Sequence, residues 1–266
     1  MTLHIHTTLA HVHIHDANKE LQDRLARRYA AFVDAPGTNP TTHGPVLQLT
    51  LAGQPRVLEG NAALHGAVDG DTLTILAGGQ PWAHLQRSTG KATVVPHRSL
   101  AAVDVLLRCE LTLRALSQGG LALHAASVLL GNGVHVFAGV SGAGKSTVAT
   151  QLAAQGGTVL SDEFTVLTPG GDGRFVAHGT PFWSGVPQAA AVAGIWRLGR
   201  GDAAVDHLGA PVVLAHLAKN LALMLAGGQW IHQSLQAAAA VARVTPGHEL
   251  RYRLGQPIVS LVEAAP

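Results

Sequence analysis

The sequence predicts an α/β fold in the second half of the chain, preceded by a small β-rich α+β domain. Three observations predict it. Before residue 116, short stretches alternate apolar and polar residues with the period of half-buried strands. After Gly119-Gly120 the pattern changes to strand, glycine turn, helix and strand. Between the second buried strand of this half, Val134–Ala138, and the helix stands Gly139-Val-Ser-Gly-Ala-Gly144-Lys145-Ser146, which fits the phosphate-loop pattern G-x-x-x-x-G-K-[ST] at every fixed position. The expected domains are 1–115 and 116–266.

Composition sets the outer bounds. A chain of 266 residues can bury a core without staples. With 47% hydrophobic and 13% charged residues it does not read as disordered. The single Cys109 cannot close an internal disulfide, and the first thirty residues show no secretory signal pattern, so a cytoplasmic protein is expected. Apolar runs such as Ala222-Leu-Met-Leu-Ala226 stop far short of the roughly 20 residues of a bilayer span, which predicts a soluble chain with no membrane partner. A formal charge of +2 without clustered Lys and Arg argues against nucleic-acid binding.

In chain order, strands are expected at Leu3–His6, His11–His15, Val46–Leu51, Asp71–Leu76 and Ala92–Val95. Helices are expected over Asn18–Phe32 and Leu100–Leu116. Leu121–Leu130 and Val134–Ala138 read as buried strands joined by the Gly131-Asn-Gly133 turn. A helix over Lys145–Ala154 carries Val148, Ala149 and Leu152 on one side and stops at Gly156-Gly157. A strand follows at Thr158–Ser161. Phe164–Leu167 and Arg174–Ala177 flank a glycine-rich turn as a hairpin. The remainder reads as mostly helical, over Val212–Leu225 and Ile231–Ala242, before a last strand at Leu250–Leu254.

The residue types of the loop each have a reason. Gly139, Gly142 and Gly144, with Val140, Ser141 and Ala143 between them, let backbone N–H groups turn inward toward phosphate oxygens. Lys145, read as an exposed loop-to-helix residue, reaches the outer phosphates. The Ser146 hydroxyl can ligate Mg²⁺, and the helix start at Lys145-Ser146-Thr147 adds its positive dipole end.

Asp162 and Glu163 arrive 17 to 18 residues after Lys145, so the next strand returns beside the loop. Neighbouring strand residues face opposite ways, and both acids reach one site only where the strand is ending. Phosphoryl transfer needs one carboxylate on the metal and one to accept the proton of the attacking hydroxyl. Either acid suits either task.

Leu123-His124-Ala-Ala-Ser127, the phosphate loop through Thr147, and Leu160-Ser-Asp-Glu163 together resemble the core of HPr serine kinase/phosphorylase-related proteins. That core shares its fold with ATP-dependent phosphoenolpyruvate carboxykinase. The close match covers 119–167, with looser similarity through Gly179-Thr-Pro-Phe182 to Glu249-Leu-Arg251. The resemblance implies that Lys145 holds the transferred phosphate, that Ser146 and Glu163 serve the metal, that Asp162 or Glu163 is the base, and that His124 orients or polarises the site. The family pattern is usually two aspartates, so Glu163 departs by one methylene. The glycine-rich signature and C-terminal lysine loop of true HPr kinases are missing, which argues against HPr as substrate. The layout is more similar to HPr-kinase-related proteins encoded beside peptide-modification genes, including lasso-peptide tailoring kinases.

The expected function is therefore an ATP- and Mg²⁺-dependent kinase of a serine- or threonine-type hydroxyl, on a peptide or small protein. A nucleotide-gated binding module, a kinase of a free alcohol such as serine, and a phosphorylase or pyrophosphate-using transferase are the competing readings. The N-terminal strand edges are expected to take up an extended peptide, with Phe182 and Trp183 near the entrance, and a homo-oligomer is compatible with all of this. His4, His6, His11, His13 and His15 read as a solvated imidazole face, with metal chelation through i,i+2 pairs as the sharper alternative.

Overall fold

The computed structural model describes residues 2–15, 19–33, 46–53, 56, 63–96, 100–253 and 255–265. Two compact units divide the chain: Met1–Arg114 with Leu223–Trp230, and Ala115–Ala222 with Ile231–Pro266. The segment Leu223–Trp230, which sequence reading placed in the second domain, belongs to the first unit. It is held there by Gly66, whose N–H donates to Met224 O and whose carbonyl accepts from Ala226 N–H.

The first unit contains β1 (Leu3–His6), β2 (His11–His15), α1 (Lys19–Arg28) and a 3₁₀ turn at Ala30–Phe32. It continues with β3 (Val46–Leu51), β4 (His65–Asp69), β5 (Thr72–Ala77), β6 (Gln80–Gln86), β7 (Lys91–Val94) and most of α2 (Ala101–Ser117). Its seven strands form one sheet in the order β1-β2-β3-β7-β6-β5-β4. Alternation buries Ile5, Val12, Ile14, Leu47, Leu49, Leu73, Ile75 and Leu85. The five N-terminal imidazoles lie on the opposite face, with His4 paired to His13 and His6 to His11. Among the described residues no group of three or more His, Cys, Asp or Glu can hold a metal ion. Neither β4 nor β6 was expected, because Gly66 and Pro81 interrupt their alternation. Asn18, the expected helix start, lies outside the described residues.

The second unit contains β8 (Leu121–Leu130), β9 (Gly133–Ala138), α3 (Lys145–Ala153), β10 (Thr158–Ser161), β11 (Phe164–Pro169) and β12 (Phe175–His178). Then follow β13 (Ala189–Arg200), β14 (Ala204–Leu208), α4 (Ala210–Lys219), α5 (Gly228–Val244, entering this unit at Ile231), β15 (Gly247–Tyr252) and α6 (Val259–Glu263). Leu254, the expected end of the last strand, lies outside the described residues.

The expected α/β phosphate-loop core of the HPr-kinase and carboxykinase type is not the fold of this unit. About 40% of the described residues are strand and about 30% helix. Of the strand pairings in the second unit, only β9 with β13 and β13 with β15 are parallel. The rest are antiparallel. The pairings also close a ring of five strands, from β8 to β11, β12, β13, β9 and back to β8. The closing strand is β13, which was read as part of a helical remainder. Its sequence, AAAVAGIWRLGR, is rich in alanine and lacks alternation, so only its neighbours select the extended state. A Cβ at Gly194 would stand 3.1 Å from the Trp196 indole nitrogen and 3.3 Å from the His248 ring.

Two cores flank this sheet. Leu121, Leu123, Ala125, Val134 and Val136 pack with Val213 and Leu217 of α4 and Val241 of α5. On the other face Ala126, Val128, Phe137 and Trp196 pack with Val148 and Leu152 of α3 and Val262 of α6. Burying such an aliphatic side chain contributes about 1.5–3 kcal/mol. This second core seats α3, and with it the start of the helix that follows the glycine loop.

Candidate functional site

The chain leaves the sheet at Ala138, turns through Gly139–Gly144 and enters α3 at Lys145. Gly142 (φ +79) and Gly144 (φ +96) take left-handed backbone that residues with a Cβ rarely adopt. Gly144 is the N-cap residue of α3 and offers no side-chain cap, so the first N–H groups of the helix remain for an anion.

Sheet register brings the acids to the same level. Ser161 ends β10 and pairs with Ser127 of β8, which on its other edge pairs with Val136 of β9. Beyond the break at Asp162 and Glu163, Phe164 resumes the pairing along the same strand at His124. The acids thus occupy an interruption in one line of backbone lying along β8, where both side chains escape strict alternation. A buried bracket holds that interruption. Ser161 Oγ donates to Phe164 O (2.8 Å) and accepts from Phe164 N–H (3.2 Å), while Thr180 Oγ1 lies 3.1 Å from Ser161 Oγ and 2.5 Å from Phe164 O.

A cavity of about 440 Å³ results, within the range of small-molecule sites. It is lined by Ser141, Gly142, Gly144, Lys145, Ser146 and Thr147 from the loop and helix. Asp162, Glu163, His124 and Trp183 complete the wall. Gly139, Val140 and Ala143 do not line it. The Gly139 and Val140 carbonyls instead accept from Lys145 Nζ at 2.6 and 3.1 Å, and Ala143 N–H closes the turn on Val140 O.

Lys145 is not the exposed residue expected from its place in the motif. Its exposure is 7%, because the loop folds over the side chain and its carbonyls take the ammonium protons. Burial pushes its pKa down, opposed by the charges of Asp162 and Glu163. Asp162 is half-buried and hydrogen-bonded to Ser146. Burial raises its pKa, the Ser146 bond and Lys145 lower it, and Glu163 adds a smaller upward push. Its Oδ1 is buried and has no hydrogen-bond partner. His124 is half-buried with Nδ1 3.2 Å from the main-chain carbonyl of Glu163. A carbonyl only accepts, so Nδ1 carries a proton.

Mg²⁺ fits this donor set. Ser146 supplies a hydroxyl, Glu163 a carboxylate and Asp162 Oδ1 an unsatisfied oxygen nearby. Such an ion takes most of its ligands from phosphates and water and needs no protein cage.

Phe182 does not stand at an entrance. It is fully buried, edge-on to Phe164 with ring centroids 5.4 Å apart, whereas Trp183 beside it is 67% exposed. Sequence reading passed over Ser161 and Thr180, the bracket under the acids. Their only signal was a pair of small hydroxyl residues flanking apolar stretches.

The site so defined is a phosphate-loop motif and an acidic pair mounted on a closed β-sheet. Residues 98–197, from α2 through most of β13, match the family model described as SynChlorMet cassette protein ScmC. The matched stretch contains both the loop and the acidic pair. No curated protein is significantly similar to the chain. No helix among the described residues is long and apolar enough to cross a membrane.

Proposed function

We propose that the chain is an ATP- and Mg²⁺-dependent phosphotransferase acting on a hydroxyl of the serine or threonine type, carried on a peptide or small protein. The observation that carries this reading is the meeting of Lys145, Ser146 and Asp162 in one cavity although β8 separates their strands. The resemblance to HPr-kinase-related proteins, peptide-tailoring members among them, supports the same reading. ATP and a lone buried Cys109 suit a cytoplasmic location.

In this reading the loop amides and the N-terminus of α3 hold the phosphate chain, and Lys145 exchanges its carbonyl partners for phosphate oxygens. The acceptor oxygen bonds to the γ-phosphorus as the bond from that phosphorus to the bridging oxygen breaks. ADP departs with the electron pair. Asp162 Oδ1, a buried acceptor without a partner, takes the hydroxyl proton. His124 holds the Glu163 main chain and so positions the acids. Ser146 and Glu163 are the residues that would hold Mg²⁺, whose chemistry is to neutralise charge on the β- and γ-phosphates.

The test compares Asp162→Asn with Glu163→Gln in the full chain. Asp162→Asn is expected to bind nucleotide normally and lose about 10²–10⁴-fold in turnover. Glu163→Gln is expected to shift the Mg²⁺ dependence and recover in part with Mn²⁺. Equal and small losses from both would remove the proposed division of labour. A wild-type chain that binds no ATP would remove the function.

A further inference from the structure

Trp183 combines three properties: exposure, a strained backbone and a place in the cavity wall. It is one of two large apolar side chains exposed to 67%, above every other such residue among those described. The second is Val140, next to the cavity-lining Ser141. Its φ of +63 is left-handed, a conformation costly for a bulky residue. And it lines the cavity of the acids and the loop.

The strained backbone is held from both sides. Phe182 is locked in the core, and Thr180 N–H donates to Leu160 O at 3.3 Å. Gly185 pairs antiparallel with Ser161, so closely that a Cβ would meet Leu160 O at 2.4 Å. Strain retained by such anchoring at a cavity lip points to a ligand contact rather than to folding.

Register tells which ligand. Gly185 lies along the edge of Ser161 opposite β8, and β8 in turn lies between Ser161 and β9. Three strand spacings, roughly 14 Å, separate the Trp183 segment from the strand that feeds the phosphate loop, and the acids stand between them. In an in-line transfer the leaving diphosphate stays on the loop and the acceptor approaches from the far side. On this strand order the Trp183 segment is the one remote from β9, beyond the acids.

We propose that Trp183 is a recognition platform for the acceptor, and that the acceptor carries an apolar side chain next to its hydroxyl residue, as an extended peptide segment does. An indole face presents flat apolar surface at low conformational cost, suited to aliphatic or aromatic flanks and not to a free polyol or free serine. This rests on the phosphotransfer reading and specifies its substrate.

The test uses the full chain, ATP and three probes: acetyl-Leu-Ser-Leu-amide, acetyl-Gly-Ser-Gly-amide and free L-serine. The wild type is expected to show a KM for the leucine-flanked probe at least ten-fold below that for the glycine-flanked one, and to use free serine more poorly than either. Trp183→Ala should erase that ten-fold preference through KM, with kcat within about two-fold and ATP affinity by calorimetry unchanged. Trp183→Phe should keep most of the preference. Trp183→Gly should melt at or above the wild-type temperature, since a packing role would lower it. Weakened ATP binding in Trp183→Ala would reassign the indole to the nucleotide and overturn the proposal. So would a preference that survives the substitution, a wild type without preference, or transfer to none of the probes by a chain that binds and hydrolyses ATP. Failure of the wild type to bind ATP would refute the phosphotransfer reading itself.

Discussion

The two units bury charge in opposite ways. In the first, every ionic group in the core has a salt-bridge partner. Asp104 takes Arg28 Nη2 and the Tyr29 hydroxyl, both at 2.6 Å, and Glu110 bridges Arg87 (2.9 Å) and Arg114 (2.7 Å). In the second, the buried titratable groups are neutral histidines, and the one buried charge is Lys145, which forms no salt bridge among the described residues. Burial lowers the pKa of His135 and of His178 to about 4. The Trp196 indole N–H, which can only donate, points at His135 Nδ1 (3.0 Å), while Nε2 meets Asn132 Oδ1 at 2.8 Å. A proton on Nδ1 would face another donor. The first unit therefore spends its charges on its own cohesion, whereas the second keeps beside its cavity an ammonium held by main-chain carbonyls instead of a carboxylate, and a carboxylate oxygen without a hydrogen bond. Groups reserved in this way are what a site for an anionic ligand requires.

The largest effect should come from breaking the first pattern. Glu110→Ala removes the buried carboxylate shared by two guanidinium groups and is expected to cost about 3–5 kcal/mol, read from the urea midpoint, with nucleotide affinity unchanged wherever the protein stays folded. A loss below 1 kcal/mol would mean that the network is not cohesive. In the second unit, Lys145→Met keeps the side-chain volume and removes the charge. It should lower turnover about 10²–10³-fold while the melting temperature holds, whereas unfolding would assign Lys145 to the scaffold.

Acid should separate the units as well. His135 and His178 have folded pKa values below their unfolded value of 6.5, so the unfolded chain binds more protons. Their contribution is complete above about pH 6.5 and is lost as pH falls toward about 4, by at most about 3.4 kcal/mol each. His178→Gln should flatten that part of the stability-against-pH curve, and an unchanged slope would show that burial does not hold the ring neutral. The smallest effect belongs to the exposed pair Arg174–Asp172, 2.6 Å apart on the β11–β12 turn. Asp172→Ala should leave the urea midpoint unchanged within error, and a clear loss would contradict the view that cohesion resides in buried pairs.

By itself the sequence determined the local pieces whose state depends on near neighbours. The strand–loop–helix from Val134 to Ala153 is one, because glycines able to take positive φ stand between a run of apolar strand formers and a periodic helix. The adjacent acids and His124 were also legible, since charged or imidazole residues beside buried strands are conspicuous. Tertiary structure alone decided the rest. The alanine-rich β13 becomes a strand only because β9, β12 and β15 offer it partners, and with it the expected α/β core gave way to a closed, mainly antiparallel ring. The Ser161–Thr180 bracket and the left-handed Trp183 likewise depend on segments 15 or more residues apart or on a backbone strained by anchors elsewhere. The burial of Lys145 depends on how its own loop folds back over it, which the motif pattern does not specify. Short-range periodicity reports what a segment can bury, and only the closed sheet determines what it is buried against.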